Sequence, residues 1–138
     1  MKILLAEILS LLVLVGCATQ PIATSEAKEV PNSRILASRF TAKKEGAGVV
    51  IVKRDTGFMG ALCSSRVFVD GTPVADIRVG EKVTLYLSPG EYIISSNPNG
   101  VCGGGLAEIR VNFSESETST LRIRYGTSGD YTIQSTAF

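Results

Sequence analysis

From Arg34 onward the chain alternates apolar and polar positions with a period of two, broken at short intervals by glycine, proline, asparagine and aspartate. That period puts successive side chains on opposite faces of an extended strand, whereas an amphipathic helix needs apolar positions three and four apart. In "GVVIVKRD" the β-branched run at residues 49–52 is continuous, as expected of a central strand covered on both faces. "LCSSRVFVDGTPVADIRV" predicts a strand over 62–69, a turn at Asp70 and Gly71, and a short strand over 74–77, because Asp-Gly supplies the positive φ of a tight hairpin turn. "EKVTLYLSPGEYIISS" predicts a second hairpin, with Val83, Leu85 and Leu87 on one face and its turn at Pro89 and Gly90. In "AEIRVNF" and "STLRIRY", Ile109, Val111, Phe113 and then Leu121, Ile123, Tyr125 alternate with Arg110, Asn112, Arg122 and Arg124. Each of those strands therefore shows one face to a core and one to water. With "DYTIQSTAF" closing the series, the pattern predicts an all-β domain. The expected form is an antiparallel β-sandwich of about 7–9 short strands, Ig-like or transthyretin-like, with a small barrel as the alternative.

Residues 46–97, and above all "VFVDGTPVADIRVGEKVTLYLSPGEYIISS", resemble the PEGA-type surface modules and related small lipoproteins. In those modules a strand ending in Val-Asp-Gly leads to a short strand, then to an apolar strand ending at Pro-Gly and a strand containing tyrosine. The matching positions here are Val69, Asp70 and Gly71, then Pro89, Gly90 and Tyr92. What the resemblance implies is an envelope β-sandwich used for anchoring or binding; it brings no catalytic residues with it.

The front of the chain carries an address. Residues 1–16 set Lys2 before an apolar run interrupted by Glu7, the layout of a signal peptide and too short for a span of about 20 apolar residues. Leu14, Val15, Gly16 and Cys17 resemble the lipobox of bacterial lipoproteins. That resemblance implies that Cys17 receives a diacylglycerol on its sulfur, becomes the first residue after cleavage, and is acylated at its new amino group. The alternative is an ordinary buried cysteine after an apolar helix. Two or more acyl chains anchor a protein stably where one is marginal, so the expected partner is a membrane reached through the covalent lipid, with no other cofactor. Ala18 stands where the family's inner-membrane retention signal has aspartate, which points to the outer membrane, facing the periplasm. Residues 17–33 then read as the lipidated cysteine and a flexible tether, small and polar with Pro21 and Pro31, or as an edge strand near Ile22. The sandwich is expected over residues 34–138.

Composition narrows the chemistry further. At 138 residues one domain is expected, and a net charge of +1 argues against nucleic acid, which needs a concentrated basic face. Histidine is absent, which excludes histidine-based triads and histidine zinc sites.

The glycine-rich stretch "NPNGVCGGG" admits three readings. A phosphate cradle would have to open a helix, yet "GGGLAEIRVNF" runs into a strand. A metal site would have only Cys63 and Cys102 as soft ligands, without CxxC spacing, so no metal is expected. A disulfide fits best, because once Cys17 is lipidated these are the two thiols left in an oxidising periplasm. Cys63 shares parity with Val67 and Val69, so it is expected to point inward, and the glycines give the backbone at Cys102 the freedom to reach it. A redox-active pair is the sharper alternative.

Other positions are candidates for partner contact. Phe58 and Met59, between glycines in "DTGFMGAL", either present an apolar loop tip or fold back as a plug over the sandwich end, and Val101 lies in the other loop. Arg110, Arg122 and Arg124 form either a basic stripe on the outer face of a hairpin or an ordinary solvated face neutralised by Glu108, Glu115 and Glu117. Lys43 and Lys44 with Lys53 and Arg54 flank one apolar run, where they would blunt a sheet edge. Asp55, Asp70, Asp76 and Asp130 are expected at turns. The leading expectation is a non-enzymatic, lipid-anchored envelope protein that binds another envelope protein or glycan. An exclusion-type inhibitor of a receptor or hydrolase is the second, and a carboxylate-only hydrolase the last.

Overall fold

Nine strands form two facing sheets in the computed structural model, which describes residues 18–138; the expected signal peptide and Cys17 lie outside them. The strands are β1 (Lys28–Glu29), β2 (Gly48–Arg54), β3 (Ser65–Val69), β4 (Thr72–Ile77), β5 (Glu81–Leu87), β6 (Gly90–Pro98), β7 (Ala107–Phe113), β8 (Thr118–Tyr125) and β9 (Tyr131–Ser135). One sheet runs β1-β5-β2-β8-β9 and the other β4-β3-β6-β7. The period-two pattern turns one set of side chains inward from each. Val83, Leu85, Val50, Val52, Leu121 and Ile123 meet Val67, Val69, Ile77, Ile94, Val111 and Phe113 in a single core. The all-β sandwich expected from the alternation is the observed architecture.

Three features depart from the expectation. The first sheet is mixed, because β2 pairs antiparallel with β5 but parallel with β8. The two strands stand far apart in sequence, and the chain between them visits the other sheet twice, as β3–β4 and as β6–β7, returning as β5 in between. Secondly, β5 and β6 are no hairpin: they belong to different sheets, so Pro89 and Gly90 turn a corner between layers. Leu85 and Ile94 accordingly meet across the core instead of pairing side by side. Thirdly, the strand expected from residue 62 begins at Ser65. The Asp70–Gly71 turn does form the β3–β4 hairpin, with φ of 46° and 77°, the doubly left-handed geometry for which aspartate and glycine are suited.

Residue 74 also obeys local physics. A bulge between Val67 and Phe68 in the β3–β4 register lets both Val74 and Ala75 point inward, and both are fully buried. Pro73 sits beside it on an edge strand, where its missing N–H is tolerated.

The segment expected to be a flexible tether is instead laid along the domain over its described part. Thr19 donates its amide to the Tyr125 carbonyl at 3.0 Å, Gln20 and Thr56 exchange backbone hydrogen bonds, and β1 pairs in parallel with β5. Ala27 and Val30 are buried, and Val30 belongs to the core. Ile22 is not in a strand; the edge strand forms later, at Lys28–Glu29. Small, polar composition hid this because the anchors are mostly backbone groups, which carry no compositional signal.

Candidate functional site

Strand β2 ends in Lys53 and Arg54 and is followed directly by Asp55, and all three charged residues are buried, at 1%, 2% and 2% exposed. An edge-blunting role for Lys53 and Arg54 is thereby corrected, since β2 is central. Buried charge is costly unless it is hydrogen-bonded, and each of these groups has partners. Lys53 donates from Nζ to the backbone oxygen of Ile22 at 2.7 Å and to that of Phe138, holding both ends of the described chain. Burial pulls the Lys53 ammonium below its ordinary pKa, with Arg122 adding repulsion and Asp55 opposing both.

Arg54 organises a loop. Its guanidinium donates to the carbonyl oxygens of Gly60, at 2.5 Å, and Cys63. Burial lowers its pKa, but a guanidinium stays charged in any accessible pH range. Asp55 accepts from Arg122 through both carboxylate oxygens and from Thr19 Oγ1 at 2.9 Å. Thr19 in turn accepts from the Tyr125 amide at 3.0 Å. Sequence reasoning missed this layer, taking Asp55 for a turn residue. The available signal was three charges placed directly on a run of four β-branched residues, Val49, Val50, Ile51 and Val52.

Above this layer stand two loops, residues 56–64 and 99–106, whose cysteines meet. Cys63 and Cys102 lie at disulfide distance, with their Cα atoms 6.1 Å apart. Cys63 is buried, as its parity suggested, although it precedes the strand. Tyr125 donates its hydroxyl to the Gly103 carbonyl at 3.2 Å, and its ring occupies the space a Cβ at Gly60 would need, 2.3 Å away. Gly60 has φ of +68°, so glycine is required there on both counts.

Asp76 ties the second loop down from the side. It lies in β4 rather than at a turn, accepting from Arg66 at 2.8 and 2.9 Å and from the Asn99 side chain at 3.0 Å. The hydrogen bonds from Arg66 hold its carboxyl below the ordinary aspartate range, against the opposing effect of burial. A depressed carboxylate contributes stability that is complete above its unfolded pKa and is lost as pH falls through its folded one. Stability is therefore expected to decline as pH drops below about 4. The Asp76→Asn variant should be less stable at neutral pH and show a flatter acid limb, as urea titrations across that range would measure.

What these supports hold up is apolar and uncharged. Phe58, Leu62 and Val101 are 96%, 97% and 96% exposed, and neither loop contains Asp, Glu, Lys or Arg. Phe58 does not fold back as a plug, and Met59 beside it is half-buried. A groove of about 610 Å³ runs between Leu62, Cys63, Asn99 and Val101, with Arg78 at its rim. Leu62 had no place among the expected contacts because it reads as the start of a strand.

The arginine stripe is not assembled. Arg110 lies on β7 in one sheet, Arg122 and Arg124 on β8 in the other. Arg110 pairs with Glu91 on an exposed surface, a contact worth little, while Arg122 is committed to Asp55. Among the described residues no group of His, Cys, Asp or Glu is arranged to hold a metal, and no helix is long and apolar enough to cross a membrane. No known protein family matches the chain, and no curated protein is detectably similar to it.

Proposed function

We propose that this is a lipid-anchored envelope protein, held at the outer membrane through Cys17, whose role is non-enzymatic binding of another envelope component. The observation that carries the reading is the clustering of Phe58, Leu62 and Val101, nearly fully exposed, around one cysteine pair. Monomeric proteins seldom present large apolar side chains together on rigid loops unless something covers them. An oxidising compartment suits the Cys63–Cys102 pair as a structural disulfide. Three of the carboxylates towards this end are engaged by arginines, Asp55 by Arg122, Asp76 by Arg66 and Glu81 by Arg34, and Asp130, on the β8–β9 turn, is exposed with no second carboxylate paired to it. That supports binding over acid–base catalysis, because a carboxylate locked to a guanidinium is a poor proton carrier.

The test is fractionation with in-cell cross-linking, using the natural chain and Cys17→Ser. The natural chain should enter the membrane fraction with an acylated amino-terminal cysteine in its mass spectrum, while Cys17→Ser should be soluble or retain its leader. An unacylated Cys17 in the mature natural chain would sink the proposal. Cross-links centred on Phe58 and Val101, to whichever envelope component covers them, lipid included, are expected; cross-links confined to the opposite end would move the binding surface elsewhere.

A further inference from the structure

We infer that the component covered by this apolar end is the lipid surface itself, and that the domain lies on its own membrane with the two loops dipped into the interface. This rests on the anchoring of Cys17 proposed above. The geometry of the first described residues leads to it. Thr19 is held by Tyr125 and Asp55, and Gln20 is bridged antiparallel to Thr56. In that register the chain passing back from Gln20 towards Ala18 runs beside residues 56–58, and the Thr19 Cα lies only 3.2 Å from where a Cβ on Gly57 would sit. Cys17 is bonded to Ala18, and two residues of chain span at most about 7 Å. A lipid on Cys17 would therefore be attached within about 7 Å of Thr19, at the end of the domain that carries the 56–64 loop. There is no leash on which this end could swing well clear of the headgroups.

The chemistry of the two ends agrees with that placement. The end at which Thr19 is held offers Phe58, Leu62 and Val101 on two loops without charge, so those loops strand no ion of their own in a medium of low dielectric. Arg78, exposed at the groove rim, is the basic group expected at the level of anionic headgroups. The far end is built the other way. There the β7–β8 turn carries Glu115 and Glu117, and the approach to β2 carries Lys43, Lys44 and Glu45, all exposed. Rigid support distinguishes the apolar loops from ordinary frayed ones: Arg54, Tyr125, Asn99 and the cysteine pair each fasten them to the sheets. An acyl anchor and several inserted side chains act together, since the first makes the second an intramolecular event.

The chain contains no tryptophan, so a single introduced one reports its own surroundings. Full-length chain, expressed with its leader and purified with its lipid, would be placed in phosphatidylethanolamine–phosphatidylglycerol vesicles as Phe58→Trp, Val101→Trp or Glu115→Trp. All three positions are exposed, and an unchanged thermal melt confirms folding. Phe58→Trp and Val101→Trp should emit to the blue and lose intensity when the lipids carry bromines on their acyl chains. Glu115→Trp should keep a water-like spectrum and its intensity. Water-like, unquenched emission from Phe58→Trp and Val101→Trp on an acylated chain would overturn the inference and leave the anchor standing. Equal quenching at all three positions, or a blue shift appearing only when envelope protein is added, would overturn it too, the last by assigning the end to a protein partner. Absence of acyl mass on Cys17 would remove the anchor and this inference together.

Discussion

Replacing Asp55 with alanine is expected to destabilise the domain by about 3–5 kcal/mol, the usual effect of removing one partner of a buried ion pair. The Asp55 side chain is 2% exposed and that of Arg122 16%, so the expectation lies towards the lower figure. The register makes the loss worse than that of an isolated pair. Lys53 and Arg122 are directly opposite one another on β2 and β8, and the carboxylate beside them is the group that offsets their repulsion. Urea unfolding would measure the change. Asp55→Asn should recover little, since its amide N–H groups would face the Arg122 donors. If the pair is the cause, Asp55→Ala and Arg122→Ala together should cost less than the sum of the single changes. A second readout follows from Thr19, whose hydroxyl donates to the same carboxylate. Amide exchange at Thr19 and Gln20 should rise more in Asp55→Ala than in a variant of equal instability elsewhere, because the segment leading to Cys17 loses its fastening.

Alternation made the architecture legible. Ile109, Val111, Phe113 and Leu121, Ile123, Tyr125 fall on the side the pattern assigns to them, with only Ile109 left part-exposed. Turn chemistry at Asp70 and Gly71 fixed one hairpin, because a local dihedral requirement is written into the residues that meet it. Turn residues at Pro89 and Gly90 could not say whether the chain returns in the same sheet or crosses to the other. That choice depends on which strands pair at long range. The same limit split the arginine stripe: Arg110 and Arg122 share a pattern, yet sheet membership separates them.

The candidate end was legible in its cysteines and in Phe58, Met59 and Val101, but not in what braces them. Lys53, Arg54 and Asp55 look like a solvated strand end because charged residues are seldom fully buried. Their burial is tolerated only because carbonyls of residues 22, 60 and 63 and the Arg122 guanidinium converge on them, and that convergence is a property of the fold. The N-terminal segment misleads in the opposite sense. Its polarity suggests a tether, while backbone hydrogen bonds to Tyr125, Thr56, Gly80 and Lys82 bind it down.

Cys63→Ala with Cys102→Ala is expected to cost about 4 kcal/mol, from the unfolded-chain entropy restored when a loop of this length is opened. The two cysteines are 39 residues apart, so the closed loop includes β3, β4, β5 and β6. Against a typical stability of about 5–15 kcal/mol that is a large fraction, and the variant should unfold at much lower urea. The native loops, however, keep other fastenings: Arg54 on the Gly60 and Cys63 carbonyls, Asn99 on Asp76, and Tyr125 on the Gly103 carbonyl. Far-ultraviolet circular dichroism of the folded variant should therefore match that of the natural chain, with the loss appearing in the unfolding midpoint. Two titratable thiols in the oxidised natural protein, or an unfolding midpoint unmoved by the substitutions, would show that the pair is no structural crosslink. A large loss of midpoint with unchanged folded structure would instead place its effect in the unfolded chain. It would also mean that the apolar end is shaped by Arg54, Asn99 and Tyr125, with the disulfide raising the free energy needed to pull it apart.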